Sequence, residues 1–228
     1  PKQVQGFYQA VFDWSFEPIN DYYSLIKYQG NYIAGMASAP IGDDTNYWLP
    51  VMSTLDVDAT VQLAKAAGAK VLVGKTTLNG RGDIAVIQDP QGAVFSVLDT
   101  VAGDPEISVK SAGNWVWQEV WTQDPKQSQQ FYQKLGKYEL ASKELADNQY
   151  QYLTLSNQPA FGLVKKPNDE VATIWVNYIK VEDVNATLAK VVANGGSVLM
   201  APNDAVRASS VAIVRDPAGA GFVIQEIK

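Results

Sequence analysis

The chain has 228 residues, 46% of them hydrophobic and 18% charged, with a net charge of −6 and a pI near 4.7. This is the composition of an ordinary globular protein, and an acidic balance without a Lys/Arg-rich face argues against a nucleic-acid backbone or an anionic membrane as partner. It contains no cysteine and no histidine. Disulfides and thiolate chemistry are thereby excluded, and the commonest general base and transition-metal ligand are missing.

Taken in chain order, Val4, Phe7, Tyr8, Val11 and Phe12 follow the spacing of a helix with one buried face. Short strands are expected over Tyr22–Tyr28, Tyr32–Ala37 and Trp48–Ser53. A second helix follows, with Asp56 as N-cap, Val57, Val61 and Ala64 inward, and Gly68 as its stop. Strands over Lys70–Val73, Asp83–Gln88 and Ala93–Asp99 close this half, the last two joined by the turn Asp89-Pro90-x-Gly92. Thr100–Gly113 reads as a connection. Beyond it, Asn114–Thr122 alternates as a strand with Trp115, Trp117, Glu119 and Trp121 on one face. Asp124-Pro125 then caps a helix carrying Phe131, Tyr132 and Leu135. Strands are expected at Glu139–Leu145, Tyr150–Leu155, Phe161–Lys165 and Thr173–Val181. A last helix from Asp183 to Gly195-Gly196 carries Val184, Leu188 and Val191, before strands at Ser197–Met200, Ser210–Arg215 and Gly221–Lys228.

The two halves are copies. Residues 31–99 align with 158–226 at a constant offset of 127 without a gap, sharing Trp48/Trp175, Asp56-Val57/Asp183-Val184, Ala59-Thr60/Ala186-Thr187 and Gly68/Gly195. They also share Asp89-Pro90-x-Gly92-x-x-Phe95/Asp216-Pro217-x-Gly219-x-x-Phe222, and Phe7-Tyr8-Gln9 matches Phe131-Tyr132-Gln133 at offset 124. A period this long marks a duplicated domain rather than a solenoid. The expected division is 1–103 and 104–228. Pro1 aligns with Pro125, so the strand and cap that open the second copy have no counterpart in the first, and upstream residues are expected.

Strand–Asp-Pro–helix with Phe-Tyr, Trp followed by Asp-Val-x-Ala-Thr and a Gly-ended helix, and the closing Asp-Pro-x-Gly-Ala hairpin together resemble the vicinal oxygen chelate superfamily. This is the glyoxalase, bleomycin-resistance and extradiol-dioxygenase fold. The chain looks most like its tandem two-domain glyoxalase-like, hydroxylase-related group. The resemblance implies an α+β fold of two tandem vicinal-oxygen-chelate domains, each of paired βαβββ modules forming an open cup of mixed strands with helices outside. It also implies a divalent metal. The positions the family uses for its ligands fall on Trp117, on Leu49 and Val176, and on Ser96 and Val223, none of which is a credible ligand. No metal and no cofactor are therefore expected.

Glu119 is the sharpest chemical candidate, a carboxylate sharing a strand face with Trp115, Trp117 and Trp121. Desolvation among indoles is expected to favour its protonated form and suit it to general acid–base work. Tyr32, Trp48, Tyr150, Tyr152 and Tyr178, with the three strand tryptophans, are expected to line apolar cavities. For Trp48 and Trp175, repeated at one position, core packing competes strongly with ligand contact. The expected function is metal-free binding of a small apolar or aromatic molecule, as in bleomycin-resistance proteins. The alternative is a lyase, hydroxylase or dioxygenase using Glu119 as base or all-oxygen ligand. The partner is thus a small molecule, with neither nucleic acid nor membrane, and a homodimer remains open. The sequence does not fix a compartment: cytoplasm is the default, and periplasm stays open because the chain begins inside a module. Gly74-Lys75-Thr76 is no phosphate loop, since Ala69 stands where that loop needs glycine. Arg81-Gly82-Asp83 is explained by a turn.

Overall fold

The structure, a computed structural model, describes residues 2–38, 46–104, 111–145 and 148–227. The connection at 105–110 lies outside them. Elements in chain order are α1 (Lys2–Phe12), β1 (Ser15–Asn20), β2 (Tyr23–Tyr28), β3 (Asn31–Ala37), β4 (Val51–Ser53), α2 (Val57–Ala66), β5 (Lys70–Leu78), β6 (Gly82–Gln88) and β7 (Val94–Thr100). The second copy follows with β8 (Trp115–Thr122), α3 (Pro125–Leu135), β9 (Tyr138–Leu145), β10 (Asn148–Leu155), β11 (Gln158–Lys165), β12 (Ile174–Val181), α4 (Val184–Ala193), β13 (Ser197–Met200), β14 (Val211–Arg215) and β15 (Gly221–Glu226). This is the expected α+β order of strand–helix–three-strand modules.

The helix boundaries follow the local chemistry. Asp56 accepts from the amide of Ala59 and Asp183 from that of Ala186, while Asp124 accepts from Lys126 and Gln127. Each carboxylate satisfies amides that the first helical turn leaves unpaired. Gly68 and Gly195 stop their helices with φ of +93° and +83°, a conformation that glycine adopts without steric penalty.

One strand was missed. β1 lies between the first helix and the expected strand at Tyr22–Tyr28, so it is β1, β2 and β3 that correspond to β9, β10 and β11. Pro18 interrupts β1, and its register with β2 shifts between Pro18 and Asn20. Proline is tolerated at such an edge because no ladder amide is required there.

The chain divides into two compact units, and neither coincides with a sequence half. One comprises the described residues within 1–48, 108–116 and 177–228, the other those within 49–107 and 117–176. The outer two of the four modules thus form unit 1 and the inner two form unit 2, in place of the expected division at 103/104.

Unit 1 carries strands in the orders β1-β2-β3 and β13-β14-β15-β12. Its core includes Phe7, Tyr8, Trp14, Ile26, Ile179, Val191, Phe222 and Ile224. Unit 2 carries β4-β7-β6-β5 and β8-β11-β10-β9, over a core that includes Val61, Ile87, Phe95, Val120, Phe131, Tyr132, Leu153 and Phe161. In unit 2 the first and last strands of each module are parallel neighbours, β4 with β7 and β8 with β11; β12 and β15 repeat this in unit 1.

A repeated clasp ties the two modules of each unit together. In unit 2 the Tyr132 hydroxyl on α3 donates to Asp89 in the β6–β7 turn at 3.0 Å and accepts from the Trp175 indole at 3.1 Å. In unit 1 Tyr8 donates to Asp216 at 3.0 Å and accepts from Trp48 at 2.7 Å. The other oxygen of each Asp closes its own turn, Asp89 through the amides of Gln91, Gly92 and Ala93 and Asp216 through those of Ala218 and Ala220. Gln91 adds a second tie in unit 2, bonding the carbonyl and amide of Asp124 and the Ser128 hydroxyl at the start of α3. Burial, reinforced by the neighbouring aspartate, pushes the Tyr8 and Tyr132 hydroxyls well above the usual tyrosine range. Burial also raises Asp89.

Candidate functional site

In unit 2, Val120, Leu153, Phe161 and Leu163 point into the helix-packed core. The alternate residues of the same strands, Trp117, Glu119, Trp121, Tyr150, Tyr152 and Gly162, stand on the opposite, helix-free face. Register places Glu119 on β8 beside Gly162 on β11, and Gly162 beside Tyr152 on β10. Tyr150 sits two residues back along β10 and leans diagonally across Gly162. Its hydroxyl lies 2.0 Å from where a Cβ at 162 would be, and the Glu119 Cγ 2.9 Å from it. Any side chain at 162 would close the gap through which the two groups meet.

The contact is a hydrogen-bonded chain. The Trp117 indole N–H donates to the Tyr150 hydroxyl at 2.6 Å, and Tyr150 donates to Glu119 Oε1 at 2.6 Å. Trp121 Nε1 donates to Glu119 Oε2 at 2.9 Å. Glu119 is 1% exposed, whereas the four surrounding aromatics are half-buried. The carboxylate is therefore not an isolated charge among indoles. Each oxygen has an aromatic donor, and such charge-assisted bonds are short and orienting. Tyr152 stacks on Tyr150 at 6.2 Å and meets Trp117 edge-on at 6.4 Å. A molecule approaching this face meets aromatic rings first and an oriented acceptor beneath them.

Five of the expected residues converge here: Trp117, Glu119, Trp121, Tyr150 and Tyr152. The remaining four belong to unit 1. Trp48 and Trp115 pack together at 4.8 Å, and each contacts Trp14, at 5.9 and 5.4 Å. Trp14 is fully buried and stacks on Tyr8 at 5.0 Å. Trp48 is thus a core and clasp residue, and Trp115, at the beginning of β8, joins that core rather than the Glu119 face. Tyr32 is 51% exposed, with its hydroxyl near the Glu17 carboxylate and Lys27 over its ring. Tyr178 is buried beneath the Arg207 guanidinium. Sequence reasoning missed Gly162, whose role appears only when the strands are in register, and the Tyr–Asp–Trp clasps. The signal for the clasps was present, because all three residue types recur in both copies.

The family's metal-ligand positions do not fit a metal. Trp117 donates its N–H to Tyr150, Val176 and Val223 are buried hydrocarbons, Leu49 is likewise apolar, and the buried Ser96 hydroxyl donates to the Pro50 carbonyl at 3.2 Å. Among the described residues, no three His, Cys, Asp or Glu side chains are grouped to hold an ion.

Residues 115–224 match the family described as Glyoxalase/Bleomycin resistance protein/Dioxygenase superfamily. The chain is 28% identical over 230 residues to the "Putative glyoxylase CFP32" of Mycobacterium tuberculosis, covering 97% of this chain and 88% of that protein. It is 27% identical over 248 residues to the "Anthracycline biosynthesis protein DauV" of a Streptomyces species, at 97% and 87% coverage. Among solved structures, the 2,3-dioxygenase LapB from Pseudomonas sp. KL28 superposes with a TM-score of 0.63 at 13% identity, covering 99% of this chain and 88% of that one. Residues 115–224 thus carry the glyoxalase/bleomycin-resistance/dioxygenase family match, and the fold of the chain is the vicinal oxygen chelate fold.

Proposed function

We propose that the helix-free face of unit 2 binds a small, flat aromatic molecule bearing a hydrogen-bond donor, without a metal. The Trp117–Tyr150–Glu119–Trp121 chain carries this reading. It supplies ring surfaces for stacking and one buried, oriented carboxylate that accepts from a ligand O–H or N–H and repels an anionic ligand. Burying three or four aromatic contacts at roughly 1.5–3 kcal/mol each supplies about 5–12 kcal/mol before the cost of association, and the hydrogen bond to the carboxylate adds to it. The name of DauV, which refers to anthracycline biosynthesis, supports a polycyclic ligand.

Titration of the full chain with hydroxylated naphthoquinones and anthraquinones, followed by quenching of tryptophan fluorescence, tests the proposal. Micromolar binding that survives dialysis against EDTA is expected, with about a tenfold loss in Tyr150→Phe, which removes the hydroxyl link to Glu119. Absence of binding across such a series, or binding abolished by EDTA, would sink it.

The 2.6 Å contact between Tyr150 and Glu119 favours a second reading, in which the same carboxylate acts as general base on a bound C–H or O–H acid. In that case Glu119→Gln abolishes turnover while leaving binding nearly intact.

A further inference from the structure

The sequence contains two Asn-Gly pairs, Asn79-Gly80 and Asn194-Gly195. Such a pair can react without an enzyme. The glycine amide nitrogen, once it has given up its proton to base, attacks the asparagine Cγ. A C–N bond forms, ammonia leaves, and water then opens the resulting five-membered succinimide at either carbonyl. The products are aspartate and isoaspartate. Glycine favours the attack because it puts no Cβ beside the nitrogen. In a folded chain two freedoms are needed as well: the carboxamide must turn towards its own backbone, and the amide must not be held by an acceptor.

The two pairs differ in both respects. Asn79-Gly80 forms the centre of the turn between β5 and β6, where the Arg81 amide donates to the Leu78 carbonyl at 2.9 Å. Both residues are exposed, and Gly80 takes a φ of +75°. Neither the Asn79 carboxamide nor the Gly80 amide has a hydrogen-bond partner among the described residues. A Cβ at Gly80 would meet nothing within 4 Å, so the turn stands clear of its surroundings. Asn194-Gly195, by contrast, ends α4 and is tied to it. The Asn194 carboxamide donates to the Lys190 carbonyl at 2.8 Å, and the Gly195 amide donates to the Val192 carbonyl at 3.1 Å. Both reacting groups are committed to the helix end.

We propose that Asn79 is a site of spontaneous deamidation in the folded protein, and that Asn194, in the same dipeptide, is protected by the end of α4. The product changes its surroundings. Asn79 borders a pocket of about 360 Å³ with Thr77, Asp83 and Asp99, and these two aspartates face each other across β6 and β7. Deamidation sets a third carboxylate on that pocket, in a chain whose net charge is already −6. Isoaspartate also adds a methylene to the backbone of the turn that sets Leu78 opposite Gly82. The inference does not rest on the reading of the Glu119 face.

The test incubates the full chain in mildly alkaline buffer, with and without denaturing urea, and follows both asparagines by peptide mapping with mass spectrometry. In the folded chain, conversion at Asn79 to two chromatographically distinct products should run about tenfold or more faster than at Asn194, where two hydrogen bonds must first break. In urea the two rates should converge, because the helix end that protects Asn194 is gone. Asn79→Gln keeps the carboxamide but would have to close a six-membered ring. It should remove the acidic species that accumulates on an anion exchanger, whereas Asn194→Gln should leave that species in place. Equal rates in the folded chain, a rate ratio unchanged by urea, conversion of Asn79 only in urea, or an acidic species that persists in Asn79→Gln overturns the proposal.

Discussion

Gly162 lies in the middle of β11, where glycine weakens a strand and offers nothing to pack. It is there because Tyr150 occupies the volume a side chain would need. Gly162→Ala should therefore expel Tyr150 from its bond to Glu119, costing roughly 1–3 kcal/mol in stability as an overpacking change. Quinone binding should fall with it. Chemical denaturation beside fluorescence titration would check both, and an unchanged affinity would show that the Tyr150–Glu119 contact is not needed. Tyr132 makes a different kind of prediction. Its hydroxyl is held well above the usual tyrosine range in the fold. The unfolded chain therefore loses this proton first, near pH 10. Its stabilising contribution is complete below pH 10 and is lost as pH rises beyond it. Tyr132→Phe should flatten part of that alkaline decline while costing about 1–2 kcal/mol at pH 7, because Asp89 and Trp175 each lose a buried partner. Urea denaturation at pH 7 and at pH 10–11 would show both effects.

Among the elements, the helices were legible because their signals are local. Asp56, Asp124 and Asp183 cap the helices they were expected to cap, Asp56 and Asp183 each through the amide three residues on, and the inward positions of α2 and α4 follow their spacing. Asp183→Ala should cost about 1 kcal/mol in the midpoint of urea unfolding. β1 was not legible, since Pro18 breaks the alternation by which a strand is recognised and only pairing with β2 reveals it. The left-handed turn at Arg207–Ser209, with φ of +48°, +49° and +59°, was equally hidden, because none of its residues favours that conformation. Ala208→Gly should stabilise the protein by about 1 kcal/mol in thermal melts, by removing the Cβ clash of that conformation. A neutral or destabilising result would show that the turn is not strained.

For the whole molecule, the duplication was plain in sequence and its spatial use was not. The halves 1–103 and 104–228 are copies, yet the compact units join the inner modules to each other and the outer modules to each other. Each half expressed alone should lack the clasps, since Tyr132 and Asp89 come from different halves, as do Tyr8 and Asp216. Neither half is expected to show the cooperative melting and dispersed near-UV circular dichroism of the full chain. A half that folded cooperatively by itself would show that the clasps are dispensable.

The sequence by itself determined the repeat, the caps, the turns and the alternation that put Trp117, Glu119 and Trp121 on one strand face. These depend on residues a few positions apart, whose backbone preferences act before any distant contact forms. Only the tertiary structure decided which module pairs with which, that Tyr150 reaches Glu119 across Gly162, and that Trp48 and Trp115 serve a core instead of the Glu119 face. Those outcomes depend on strand register and on contacts between residues 31 to 208 positions apart. No local preference encodes them.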